Sequence, residues 1–464
     1  MTASNEPTLE TESPTEPVRL ESDLIYNLED RPPLVETVFV ALQHVLAIFV
    51  GIITPPFIIC NALELEGPDT TFIISMSLMI SGVATFIQAK RIGPIGSGLL
   101  SIQGTSFAFL GPILAAGFAA IAAGKTKEEA LAVIFGLCFF GAFVEIFFSR
   151  FLHLARQVIT PLVTGVVVTT IGLTLIKVGI TSVGGGVPAL GTESFGSAQN
   201  WGLAALVLVV ILVMNSFNHP YLRMSAIVVG LAVGYAVAIP MGLVDFGRLS
   251  GLTIFTVPIP FRYGLGFSWS AFIPFIFLYL ITTIESIGDL TATSAISGEP
   301  IQGPVYMRRL KGGVLGDGVN SLIAACFSTF PNTTFSQNNG VIQLTGVGSR
   351  YVGYFIAGFL VLLGLFPIVA GVVQIMPQPV LGGATILMFA TVAVAGVKIL
   401  SCVNLTKRNS MILAVSLGLG LGVTFVPEIL DNAPDLIKSI FASGISTGGL
   451  SALVLNLVIP GPRE

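Results

Sequence analysis

Runs of about 20 apolar residues, each long enough to cross a bilayer as a helix, recur from near residue 35 to residue 460. Nothing else in the sequence constrains the fold as strongly. The runs fall near 37–60, 70–88, 98–122, 129–149, 158–180, 200–214, 222–243, 267–290, 313–330, 336–348, 351–376, 380–400, 409–426 and 442–460. Only 10% of the 464 residues are charged, against 53% hydrophobic, where a soluble domain carries roughly 25% charge. The pattern specifies an all-α polytopic membrane protein with twelve to fourteen transmembrane segments, because two of the fourteen runs, 98–122 and 336–348, are interrupted or short.

Charge placement sets the expected topology. Fourteen crossings with both termini in the cytoplasm put fifteen of the 21 Lys and Arg residues inside. The other six, Lys125, Lys127, Lys177, Arg248, Arg262 and Lys438, fall outside. That is a positive-inside bias, and moving the count by one span scatters it. The first 36 residues hold nine acids and no apolar core. Residues 1–34 therefore read as an acidic, disordered cytoplasmic tail rather than a signal peptide. Seven spans over 35–243, an extracytoplasmic connection over 244–266 and seven spans over 267–464 complete the organisation, with no soluble domain of any size. Cys60, Cys138, Cys326 and Cys402 have no metal-ligand spacing and read as small buried hydrophobes. Three well-separated histidines (His44, His153, His219) supply neither a metal cluster nor a nucleophile–base set, which argues against an enzyme. Nothing points to nucleic acid.

The two interrupted segments are "GPIGSGLLSIQGTSFAFLGP" (93–112) and "STFPNTTFSQNNGVIQLTG" (328–346). Both mix chain breakers with hydroxyls and amides at membrane depth, where irregular backbone survives only if protein buries it or it lines a cavity. Short extended pieces leading into half-helices are expected around 101–109 and 333–337. The segments occupy the third and the tenth places, equivalent positions in the two halves. Such a pair points to an inverted-repeat transporter with its site near the midplane.

Acids inside spans are costly and usually face a cavity or a partner. Glu285 and Asp289, in "LYLITTIESIGDLTATSAIS", are four residues apart and share a helix face that Thr293 continues. Two carboxylates so close do not both ionise easily in a low dielectric, which makes the pair a candidate proton carrier. Asp317 reads equally as a functional acid or as a helix-end acid beside Arg308–Lys311, and Glu145 as an acid snorkelling toward Arg150. His44, alone in an apolar helix, is either a hydrogen-bonded structural residue or a ligand contact.

"QNNGVIQLTG" (Gln337–Gly346) resembles the signature of the nucleobase–ascorbate transporter family (nucleobase:cation symporter-2), Gln-Asn-x-Gly-x-x-x-x-Thr followed by Gly, Arg or Lys. The resemblance runs from about residue 23 to the end through "IYNLEDRPP", "QHVLAIFVGIITP", "GSGLLSIQGTSF", "ESIGDLTATS", "RLKGGVLGDG" and "PVLGGATILMF". That combination is most similar to the bacterial xanthine permeases, proton symporters of the inner membrane. It implies two inverted seven-span repeats arranged as core and gate domains, usually in a homodimer, with membrane lipid around them. No cofactor is implied beyond the proton as coupling ion. Glu285 and Gln337 would hold a purine ring, Asn338 would tune affinity and specificity, and Thr105, Ser106 and Phe107 would complete the pocket, with Phe107 against the base. His44, Asp289 and Asp317 would support binding or coupling. Ser106 stands where some xanthine-selective relatives carry Asn, and small or hydroxylated residues there go with tolerance of urate or other purines. Within the family a uracil carrier also competes, because one sequence does not give the pocket shape. An anion exchanger of related fold is the remaining alternative.

Overall fold

The computed structural model describes residues 24–65, 67–152, 160–186, 189–217, 219–249, 254–367, 375–434, 437–438, 441 and 444–460. Its named helices follow the apolar segments. They are α1 (Leu34–Ala62), α2 (Gly67–Lys90), α3 (Leu110–Ala122), α4 (Lys127–Phe151), α5 (Pro161–Gly184), α6 (Ala198–Ser216) and α7 (Pro220–Ala238). The second half supplies α8 (Trp269–Ile296), α9 (Gly303–Cys326), α10 (Gln337–Thr345), α11 (Arg350–Leu365), α12 (Gln378–Ser401), α13 (Lys407–Phe425) and α14 (Gly444–Val458). Among the described residues, eight helices of at least 18 residues are apolar enough to cross a membrane.

Local chemistry explains the helix starts. Thr126 and Glu129 form a reciprocal capping box on α4, and Thr160 caps α5 with Pro161 in its first turn. Hydroxyls inside the spans satisfy themselves on the backbone four residues back, as Thr169 Oγ1 donates to the Gly165 carbonyl (2.7 Å) and Thr170 Oγ1 to that of Val166 (2.8 Å).

Small residues let the helices close on one another. α5 lies along α12, where a Cβ on Gly172 would meet the backbone of Ala393 and one on Gly382 the backbone of Val183. α2 lies on α11 as α9 lies on α4. Likewise α1 meets α11 as α8 meets α4, and α6 pairs with α7 as α13 pairs with α14.

The third and tenth segments meet. β1 (Gln103–Thr105) and β2 (Asn332–Thr334) pair antiparallel, Gln103 opposite Thr334, Gly104 opposite Thr333 and Thr105 opposite Asn332. The ladder extends through Phe335 N to Ile102 O and Ser106 N to Pro331 O, both 2.9 Å. After β1 a 3-10 turn over Phe107–Phe109 leads into α3, and after β2 the chain enters α10. These are the extended pieces expected of the broken segments. Gly104 is required here, because a Cβ would strike the Phe335 ring and come within 2.8 Å of Ile52 Cγ1.

The tail reading is too long at its end nearest the helices. Residues 24–33 are pinned to the turn between α10 and α11: Tyr26 bridges Val347, Ile25 N donates to Gly346 O (2.7 Å) and Arg350 N to Leu28 O (3.0 Å). Leu28 is buried with Leu99, Leu290 and Leu310. Hydrophobic anchors at Leu24, Ile25 and Leu28 outweigh the acids around them. Residues 1–23, with the rest of the acidic run, lie outside the described residues, as do His153, Arg156 and Arg463. Of the cysteines, Cys60 and Cys138 are buried, but Cys402 is exposed where α12 ends.

Candidate functional site

Around the crossing of β1 and β2 the structure gathers acids from α8 and α9. The Asp289 carboxylate accepts from Thr334 Oγ1 (2.8 Å) and from Ser336 Oγ, so β2 and the entry to α10 are tied to α8 through one side chain. Thr293, one turn further along α8, donates to the Asp289 carbonyl and to Asn339 Oδ1, each at 2.8 Å. The shared face of Glu285, Asp289 and Thr293 is therefore the face turned to the signature segment.

Asp317 is not a helix-end acid. It lies within α9, fully buried, and accepts from Gln88 Nε2 (2.6 Å) and from Ser286 Oγ. Gln88 Nε2 also donates to Gly313 O (2.8 Å), while Gln88 Oε1 accepts from Ser97 N (2.9 Å). One amide thus joins α2, α9 and the loop before β1. Sequence pattern does not single out Gln88, since a lone amide one turn from a helix end resembles any polar residue near an interface. Ser286, Thr334 and Ser336 are equally ordinary in sequence, and only the fold aims their hydroxyls at carboxylates.

Glu145 overturns the snorkelling expectation. It is 2% exposed, on the side of α4 that packs against α9, near enough to Asp317 and Glu285 to interact with their charge. One of its oxygens is buried without a hydrogen-bond partner. An α4 that is apolar on every side gives no sequence cue to which face turns inward.

The residues assigned to a ligand divide by exposure. His44, Thr105, Ser106, Asn338, Asp289 and Asp317 are buried. Glu285 and Gln337 remain partly exposed, and Phe107 is 46% exposed in the turn that follows β1. Both ring nitrogens of His44, both amide atoms of Asn338 and the Thr105 hydroxyl are buried without a protein partner. α1, which carries His44, packs on both β1 and α10. Buried polar groups normally find partners, so unsatisfied ones beside accessible side chains mark a surface suited to a polar ligand. Donors, acceptors and carboxylates converge there at the meeting of two broken segments. No group of His, Cys, Asp or Glu among the described residues has the arrangement of a metal site.

A bundle of apolar helices with paired broken segments over buried acids is a membrane transporter. The chain belongs to the nucleobase–ascorbate transporter family, matching the family described as "Permease family" over residues 35–429. It is 52% identical to xanthine permease XanP of Escherichia coli (strain K12), over 96% of this chain and 96% of that protein. It is 46% identical to xanthine permease XanQ of the same organism, over 95% of this chain and 94% of that one. Among solved structures it is similar to SLC26A9 at a TM-score of 0.54 and 12% identity, covering 92% of this chain and 65% of that longer one. The last likeness speaks to the fold alone.

Proposed function

We propose that this chain is a proton-coupled symporter that imports xanthine across a bacterial inner membrane by alternating access. The observation that carries the reading is the division of the site: Glu285 and Gln337 are partly exposed, while Asp289 and Asp317 sit buried behind them on hydroxyl and amide partners. A purine-dione presents ring N–H donors and carbonyl acceptors in one plane. The Glu285 carboxylate accepts two N–H groups, and the Gln337 amide both donates and accepts. An analogue with one group misplaced leaves a buried partner unpaired and is rejected. Asn338 tunes the fit, Phe107 stacks on the base, and Thr105, Ser106 and His44 complete the enclosure. The proton is carried by the acid cluster of Glu285, Asp289 and Asp317. The names of the two relatives, similar over almost the whole chain, support xanthine as the substrate.

The repeat architecture belongs to the same proposal. Advancing each helix number by seven turns the α2–α11 contact into α9–α4, and α6–α7 into α13–α14, while α5–α12 maps onto itself. An odd number of crossings per repeat inverts the second copy. The reading is therefore fourteen spans in two inverted repeats over 35–243 and 267–464, forming core and gate domains. Both termini are cytoplasmic, and the protein works as a homodimer.

Uptake of radiolabelled xanthine by cells expressing the chain tests the proposal. Unlabelled xanthine, urate, guanine, hypoxanthine and uracil serve as competitors, with and without a protonophore. Protonophore-sensitive uptake blocked best by xanthine is expected, and Glu285→Gln should abolish accumulation. Full accumulation by that variant would refute the role of Glu285. Protonophore-sensitive uptake of a different base would keep the mechanism and move the substrate, with Ser106 the residue to exchange for Asn.

A further inference from the structure

Away from the β1–β2 ladder, beside the start of the first broken segment at Pro94, a cleft of about 540 Å³ opens where α2 and α4 end and α9 begins. Arg91, Arg150, Arg308 and Lys311 line it, with Ser149 and Pro304 between them, and no carboxylate is among its lining residues. The cations project from three separate stretches of chain, so the cluster is made by tertiary packing rather than by a local run of basic residues. The mouth is held by backbone contact, since Gly96 N donates to Gly312 O (2.7 Å) and a Cβ at Gly312 would collide with Gly96 O.

Arg91 is set into this wall. Its backbone is left-handed (φ 56°), its amide continues α2 by donating to Ile87 O (3.0 Å), and its side-chain stem runs past Gly98. Its Nε is buried without a hydrogen-bond partner. Burial first, then the charges of Arg308, Arg309 and Arg350, hold its guanidinium below the usual range. Two of those neighbours are neutralised elsewhere, Arg309 by Glu299 (2.7 Å) and Arg350 by Glu29 (2.6 Å). The first turn of α9 adds to the positive field, because Gln302 provides no side-chain cap and the helix start faces the cleft at Gly303 and Pro304.

We infer that this cleft binds a phosphate group, either the headgroup of an anionic phospholipid or free phosphate. Guanidinium forks match phosphate oxygens in pairs. Basic pockets between transmembrane helices on the cytoplasmic side are suited to anionic headgroups. The cleft lies at the ends of helices assigned to the bundle, where a phospholipid headgroup sits. The competing account is that the four cations only offset the carbonyl ends of α2 and α4, in which case they bind nothing.

The full chain in phosphatidylcholine nanodiscs distinguishes these. Its melting temperature is followed as phosphatidylglycerol replaces phosphatidylcholine, for the unaltered protein, for Arg308→Gln/Lys311→Gln, and for Lys398→Gln/Lys407→Gln. The last variant loses two exposed cations outside the cleft. Phosphatidylglycerol should raise the melting temperature of the unaltered protein and of the control pair. For the cleft pair the response should need roughly thirtyfold more lipid, reflecting the loss of two cations at an anionic surface. Millimolar inorganic phosphate forms the second arm. Protection by phosphate in phosphatidylcholine alone, absent from the cleft pair, would assign the site to free phosphate. Equal responses of all three proteins, or no response to lipid and phosphate, would overturn the inference. If the double variant fails to fold, Lys311→Gln alone gives the same comparison at reduced amplitude.

Discussion

Asp289 shows how much can rest on two hydroxyls. Thr334 and Ser336 both donate to its carboxylate, and Ser336 immediately precedes the partly exposed Gln337. Hydrogen bonds to a charged acceptor contribute about 1.5–3 kcal/mol, although transmembrane side-chain bonds average less. Ser336→Ala and Thr334→Ala should each slow uptake by roughly tenfold, and the double variant by less than the product, because both act through one carboxylate. Rates of initial uptake at matched expression read this directly, and full additivity would show that the hydroxyls work independently of Asp289. Of the residues named from sequence, Thr105 ends β1 and Ser106 follows it, Gln337 and Asn338 open α10 after β2, and Glu285 lies one turn before Asp289 on α8. Their supporting partners do not show in sequence. Gln88 and Ser286 become partners of Asp317 only when α2, α8 and α9 are brought together, and Glu145 shows its buried face only when α9 covers it.

The broken segments work as a pair because each supplies one strand of a ladder too short to exist alone. Phe335 lies over Gly104, and that contact leaves no space for a side chain. Gly104→Val should therefore prevent assembly of the site, and Phe335→Ala in the same chain should restore part of the folded yield. Size-exclusion profiles of the single and double variants decide it: no recovery in the double variant would locate the damage elsewhere. The strap over residues 24–33 makes a second case. Its ion pair, Arg350 with Glu29, is largely exposed, so Arg350→Gln should change stability by at most about 1 kcal/mol. Leu28→Asp buries an unpaired charge among leucines and should cost several kcal/mol, seen as a drop in melting temperature in detergent. Helix positions were legible from the apolar runs, and the extended pieces from their hydroxyl- and glycine-rich composition. The docking of residues 24–33 was not, since four acids around three apolar anchors read as solvated chain until the groove that receives the anchors is formed.

Taken together, the helices make a bundle in which each half of the chain is packed against the other. α2 needs α11, α4 needs α9, and α5 needs α12. If the halves are matching units, separating them within 244–266 and producing both in one cell should reconstitute uptake, while either half alone should give none. Failure of the pair with both fragments present in the membrane would mean that the connection itself is required. The β1–β2 ladder carries a consequence for how the protein is made. Thr105 leaves the ribosome long before Asn332, its partner across the ladder, has been translated. The first half must therefore wait in the membrane with an unpaired strand and its polar neighbours unsatisfied, during the slowest kind of contact formation, that between distant parts of the chain. Assembly of the ladder is thus gated by one short segment, residues 332–334 of 464, and the interval before it appears is when the nascent chain is most open to misassembly and degradation.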